Sequence, residues 1–150
     1  MLAGTVQSVL ADKKNQRLHA VTPATSVSQA VKIMNRHNIG SLLVMQGRRL
    51  VGIFTERDVL KRVVGAKMNP ESTAVCQVMT ADVLCIKPST RVEEAMNIMI
   101  QKRYRHLPVA EDDTLLGMIS NGDLSRWVIR DQQELVDDLI SGVIQFSRLS

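Results

Sequence analysis

Aromatic side chains are scarce in this chain: two phenylalanines, one tyrosine and one tryptophan among 150 residues. So few flat surfaces argue against a protein that grips single-stranded nucleic acid by stacking. Cysteine is scarce too, with only Cys76 and Cys85. That excludes a disulfide framework and makes reduced thiols in the cytoplasm the default expectation. No apolar run approaches the roughly 18 residues of a spanning helix. The opening residues lack the basic start and apolar block of a signal peptide. A glycine-rich phosphate loop, a serine elbow and a Cys-x-x-Cys pair are all missing. His19, His37 and His106 are far apart in sequence and form no metal-ligand pattern with the cysteines. Without a nucleophile–base pair or a metal motif, the expectation is a protein that is not an enzyme, needs no cofactor and has no membrane attachment.

What remains is ordinary globular composition, 45% hydrophobic and 23% charged, enough for a compact domain with a real core. The net charge is +4. Eight of the 15 acidic residues lie beyond position 110: Glu111, Asp112, Asp113, Asp123, Asp131, Glu134, Asp137 and Asp138. The rest of the chain is therefore distinctly basic, which suggests an anionic partner.

The strongest signal is an internal repeat. Residues 17–66 recur at 82–131 without a gap, and 12 of the 50 aligned positions are identical. Pro23 returns as Pro88, Gly52 as Gly117 and Asp58 as Asp123. Each copy opens with a short apolar run, 17–21 or 82–86, that stops near a proline, a residue unable to donate to a ladder. A helix follows, with Thr25 and Thr90 at the expected N-caps and Glu93 completing a capping box with Thr90; Ser26 and Gln29 offer a similar box one residue later. Its apolar stripe is Val27, Ala30, Val31 and Met34, matched by Val92, Ala95, Met96 and Met99. Two further apolar runs, 41–45 with 50–54 and 106–110 with 115–119, flank polar turns and predict hairpins. Pro108 marks an exposed or irregular stretch in the second of these. A last helix is expected over 56–64 and 121–130.

The unit is thus β-α-β-β-α, and two copies should pack through their sheets to complete a core. Residues 1–16 form an N-terminal segment, 17–66 the first repeat, 67–81 a linker, 82–131 the second repeat and 132–150 a C-terminal amphipathic helix. The N-terminal segment carries Val6, Val9 and Leu10 on one helical face. The C-terminal helix shows Leu135, Leu139, Ile140 and Val143 opposite Glu134, Asp137 and Asp138. Either end could cover the chain's own core, join a dimer interface or dock another protein.

After its third strand each copy reads glycine, two apolar residues, a hydroxyl, two variable residues and aspartate: Gly52 to Asp58 and Gly117 to Asp123. Thr55 or Ser120 can cap the following helix, and the aspartate suits its positive end. The same geometry can serve a ligand. A helix N-terminus offers amides to phosphate, the hydroxyl can donate to phosphate or sugar, and an ionised aspartate can accept from vicinal ribose hydroxyls. Ribose with phosphate implies a nucleotide.

Taken together, the repeat resembles tandem CBS domains, the pair called a Bateman module. The carriers are Val21-Thr22-Pro23 and Ile86-Lys87-Pro88, Arg105 to Val109, and the two Gly-x-x-Ser/Thr-x-x-Asp motifs, in the same order and at one spacing. The resemblance implies an α+β fold, a pseudo-twofold pair of repeats with two related clefts, and binding of adenosine derivatives: AMP, ADP, ATP, NAD or S-adenosylmethionine. It also implies a homodimer. Carried over by position, Asp58 and Asp123 would hold ribose, Thr55 and Ser120 ribose or phosphate, and Val21, Thr22, Ile86 and Lys87 the adenine through their backbone. Arg105 and its neighbour His106, with Arg57 and Lys61, are the phosphate candidates. Gly40-Ser41 in one copy matches Arg105-His106 in the other, and Glu56-Arg57 matches Asn121-Gly122, so two unlike sites are expected. The expected function is a regulatory module that senses nucleotide state and signals to a separate protein partner by conformational shift. The alternatives are a nucleic-acid-associated protein using Arg48, Arg49, Arg57, Lys61 and Arg62, or a structural dimerisation scaffold with empty clefts.

Overall fold

The computed structural model describes residues 3–14 and 17–149, with side chains as far as residue 144. The fold is α+β, as expected, and divides into two compact units. One consists of Arg17–Cys85 with Ala110–Leu116; the other gathers the N-terminal segment, Ile86–Val109 and the chain from Gly117 onward.

In the first unit, β1 (Ala20–Val21) lies parallel to β2 (Ser41–Gln46), which pairs antiparallel with β3 (Arg49–Thr55). Gly47, at φ 63°, makes the tight turn between β2 and β3. Helix α2 (Val27–His37) starts at Ser26, whose hydroxyl accepts from the Gln29 amide. The cap is therefore Ser26 rather than Thr25. Thr25 instead accepts from the Thr22 amide through its hydroxyl. The helix buries Val27, Ala30 and Met34. Asn38, in the left-handed conformation, ends it. Helix α3 (Glu56–Asp58) continues as a wider π-turned segment over Val59–Val64, where the Gly65 amide reaches back to the Leu60 carbonyl.

The second copy of the sequence repeat follows this plan with one loss. Helix α4 (Val92–Lys102), β4 (His106–Glu111) and β5 (Thr114–Ser120) match their counterparts, and Arg103 ends α4 in the left-handed conformation as Asn38 ends α2. Asp112 and Asp113, both with positive φ, build the β4–β5 turn. The strand expected over 82–86 does not form; only an isolated parallel bridge joins Ile86 to Val109. The cause is one residue. In the first unit the Leu43 amide donates to the His19 carbonyl and holds β1 in the sheet. Leu43 corresponds to Pro108, which has no amide hydrogen, so that ladder bond has no donor. Pro108 itself is buried, and its carbonyl accepts from the Ile86 amide.

Two other expectations change. The Thr90–Glu93 capping box is replaced: α4 has Arg91 at its N-cap, without a side-chain cap bond. Backbone does the work, as the Val92 amide donates to the Gly4 carbonyl and Thr5 bridges Arg91. The helices expected over 121–130 and in the C-terminal segment are one element, α5 (Asn121–Leu149).

The N-terminal helix α1 (Val6–Asp12) and the 3-10 turn at Val75–Gln77 play the same part in their respective units. Thr5 bridges Arg91 as Ala74 bridges Ser26, and the Val27 amide donates to the Thr73 carbonyl. Val6 and Val9 enter the second core where Val75 and Val78 enter the first. The rest of the cores also correspond: Val27 with Val92, Ala30 with Ala95, Met34 with Met99, Leu42 with Leu107, Val44 with Val109 and Phe54 with Ile119. Gly52 and Gly117 belong to this scheme. A Cβ on Gly117 would stand 3.0 Å from Leu10 Cδ2, and one on Gly52 would stand 3.0 Å from Met79 Cγ and closer still to its sulfur. The motif glycine is there so that a Val-x-x-Val-Leu/Met turn can lie flat on the strand.

Candidate functional site

In both units the hydroxyl-to-aspartate motif closes on itself at the start of a helix. The Thr55 hydroxyl accepts from the Asp58 amide at 3.2 Å, while Asp58 Oδ2 accepts from the Thr55 amide at 2.9 Å. The Ser120 hydroxyl accepts from the Asp123 amide at 3.0 Å, and Asp123 Oδ2 accepts from the Ser120 amide at 2.7 Å. These reciprocal bonds satisfy two orphan helix donors. Both aspartates are buried, at 5% and 6% exposure. Their role as caps is therefore realised, whatever else they hold.

Cations distinguish the copies. Asp58 faces Arg62, whose Nε lies 3.7 Å from Oδ1 and whose Nη1 donates to the Val78 and Met79 carbonyls. Asp123 receives two: Lys13 Nζ is 3.0 Å from Oδ2, and Arg126 Nη2 is 2.6 Å from Oδ1. Lys13 also donates to the Met118 carbonyl at 3.0 Å. Burial pushes the Asp123 carboxyl up, but hydrogen bonds from Ser120 and Lys13 outweigh it, and the net displacement is downward. His106 is held below its ordinary value first by burial, then by Lys13 and Arg105, with Asp123 opposing. The second-copy motif thus sits in a positive surround.

The remaining sequence candidates separate. Arg105 comes close through its backbone, where its carbonyl accepts from the Asn121 amide at 2.9 Å. The matching acceptor in the first unit is the Gly40 carbonyl, bonded to the Glu56 amide. The Glu56 carboxylate lies over Gly40, within 3.2 Å of where a Cβ would be. A carboxylate in one copy therefore lies where the other has Arg105. Arg57, just before Asp58, and Lys61, on the turn after it, are exposed, but the cation that pairs with Asp58 is Arg62. Val21 and Ile86 are buried, whereas Thr22 and Lys87 are exposed. The β2 register puts Ser41 opposite Thr55 and Val44 beside Val21. Within the first unit the Val21-Thr22 step and the Thr55–Asp58 motif thus lie about 10 Å apart along β2. His19 stacks on His37, with ring centroids 4.1 Å apart, a proximity that their sequence separation conceals. Among the described residues no group of three His, Cys, Asp or Glu side chains could hold a metal ion.

Lys13 and Arg126 are the site residues that sequence reasoning missed. Arg126 was accessible as the residue three positions beyond Asp123 on the same helix. Lys13 could have been found only by aligning Val6-x-x-Val9-Leu10 with Val75-x-x-Val78-Met79, at an offset of 69 rather than 65.

Comparison with known proteins agrees with the duplicated motif and fold. The CBS-domain family model matches residues 13–65 and again 75–130, and the chain belongs to the CBS-domain family. It is 37% identical over 118 residues to the Arabidopsis thaliana CBS domain-containing protein CBSX3, mitochondrial, covering 75% of this chain and 57% of that protein. Among solved structures it is similar to a CBS-domain protein from Burkholderia ambifaria, with 40% identity and a TM-score of 0.77 over 86% of this chain and 96% of that one. It is also similar to CBSX2 in complex with AMP, at 27% identity and a TM-score of 0.73, covering 85% of this chain and 98% of that one. No helix among the described residues is long and apolar enough to cross a membrane.

Proposed function

We propose that the protein is a non-enzymatic regulatory module that binds an adenine nucleotide and signals to a partner protein through a conformational shift. The single observation that carries this reading is the recurrence, in both units, of a buried aspartate beside a hydroxyl at the first turn of a helix. Such a group can take two ribose hydroxyls while nearby amides and cations meet phosphate. The similarity to a protein solved with AMP supports the ligand class. Asp58 and Asp123 are the ribose residues, with Thr55 and Ser120 beside them and Val21, Thr22, Ile86 and Lys87 as the adenine contacts. The working form is a cytoplasmic homodimer, and the exposed apolar stripe of α5 supports self-association.

Calorimetry and thermal shift with AMP test this. Asparagine is the substitution of choice, since it keeps an acceptor for the Thr55 or Ser120 amide and removes only the charge. Asp58→Asn and Asp123→Asn should each weaken binding at the altered site by about tenfold or more, the value of a charge-assisted hydrogen bond. Two variants that bind AMP as well as the parent would refute the ribose assignment. The self-satisfied caps favour one competing reading, a scaffold whose sites stay empty. A melting temperature indifferent to every adenine nucleotide would select it, because a ligand of the native state must stabilise that state.

A further inference from the structure

Beside Asp123 opens a pocket of about 680 Å³ built wholly within the second unit. Pockets of a few hundred Å³ upward accommodate nucleotide-sized ligands. Four cations line this one, Lys13, Lys14, Arg126 and Arg130, against two carboxylates, Asp12 and Asp123. Arg130 pairs with Asp12, whereas Lys13 and Arg126 both converge on Asp123. Four positive groups against two carboxylates leave a surplus of positive charge in the pocket lining. The amino end of α5 adds its partial positive charge in the same place. Trp127 supplies an apolar wall, its indole fixed by donation of Nε1 to the Ala3 carbonyl at 3.0 Å. The first unit differs in its charges: Arg62 approaches Asp58 only to 3.7 Å, and the Glu56 carboxylate lies over Gly40.

We infer that the second repeat's site is selective for adenine nucleotides bearing two or more phosphates, with Lys13 and Arg126 as its specificity-determining residues. This rests on the nucleotide reading above and adds to it a ligand charge class and two residues. When the ribose takes Asp123, the ammonium and guanidinium released from that carboxylate turn to the phosphates, with Lys14 as a third donor. Guanidinium and ammonium groups are the usual partners of phosphate oxygens. Adenosine gains nothing from this exchange, and the cationic sulfonium of S-adenosylmethionine is repelled by it.

The test is calorimetry of ATP, AMP, adenosine and S-adenosylmethionine against the parent, Arg126→Gln and Lys13→Gln. The Arg126 side chain is 71% exposed, so its replacement does not threaten the fold. The parent should bind ATP at least about tenfold more tightly than AMP, adenosine or S-adenosylmethionine. Arg126→Gln should cost ATP about tenfold while leaving adenosine within about twofold, and Lys13→Gln should act in the same direction. AMP or adenosine binding as tightly as ATP, or ATP binding unchanged in Arg126→Gln, would overturn the inference and leave the nucleotide reading standing. If the parent binds none of the four compounds, the nucleotide reading falls and takes the inference with it.

Discussion

His106 stands at the start of β4 in the field of Lys13 and Arg105, and its neutral form is the one the fold prefers. Its folded pKa lies below the ordinary 6.5. As pH falls below that value, the unfolded chain takes up a proton that the folded one resists, so stability drops. The contribution is complete above pH 6.5 and is lost toward the folded pKa. His19, also lowered by burial and by its neighbours His37 and Arg17, acts in the same sense. Asp123 acts lower on the scale: its depressed pKa gives stability that is present above 3.8 and is lost as pH falls through the folded value. The urea midpoint should therefore fall between about pH 7 and about pH 5 and fall again in stronger acid. His106→Gln should flatten part of the first drop and leave the second. An unchanged first drop would mean that His106 does not contribute. The hydroxyl and aspartate of each motif were legible in the sequence because their spacing is local. The cations on Asp123 were not equally so, since Lys13 arrives from 110 positions earlier in the chain.

At the scale of elements, turn chemistry read well and continuity read poorly. Gly47 and the Asp112-Asp113 pair announced both hairpins, because positive φ has few suppliers. The strand at 82–86 failed for want of one amide at Pro108, a donor that matters only once the pairing partner is known. The joint expected between 130 and 132 does not exist. Asp131, Gln132 and Gln133 are polar, but none breaks a helix, and α5 runs through them. Its far half exposes Leu135, Val136, Leu139, Ile140 and Val143, the last at 68%. Arg126 and Arg130 precede Asp131, Glu134, Asp137 and Asp138 along the same helix, so two copies set antiparallel would bring opposite charges together. Val136→Glu with Leu139→Glu should convert a dimer to monomers in sedimentation analysis while helical content stays close to that of the parent. A parent that already sediments as a monomer, or a variant that still dimerises, would exclude this helix as the interface.

For the whole molecule, the 65-residue offset made the duplication and the paired cores legible, and the family model agrees. The second core also takes in residues from outside the repeat. Val6 and Val9 are fully or nearly fully buried, at 0% and 3% exposure, in a core otherwise built from residues beyond 85. Burial of a valine side chain contributes about 1.5–3 kcal/mol. Removing residues 1–12 should therefore destabilise the second unit by roughly 3–6 kcal/mol, measured as loss of amide protection over α4 and β5. Protection equal to that of the parent would show that α1 is dispensable to that core.

The place of α1 has a consequence for the order in which the protein is made. The ribosome delivers Val6 and Val9 well before the strands and helix that receive them, which emerge only after residue 85. Until then those valines have no partner. The second unit cannot close until its earliest residues meet its latest, whereas Arg17–Cys85 can begin to assemble while the rest is still being translated.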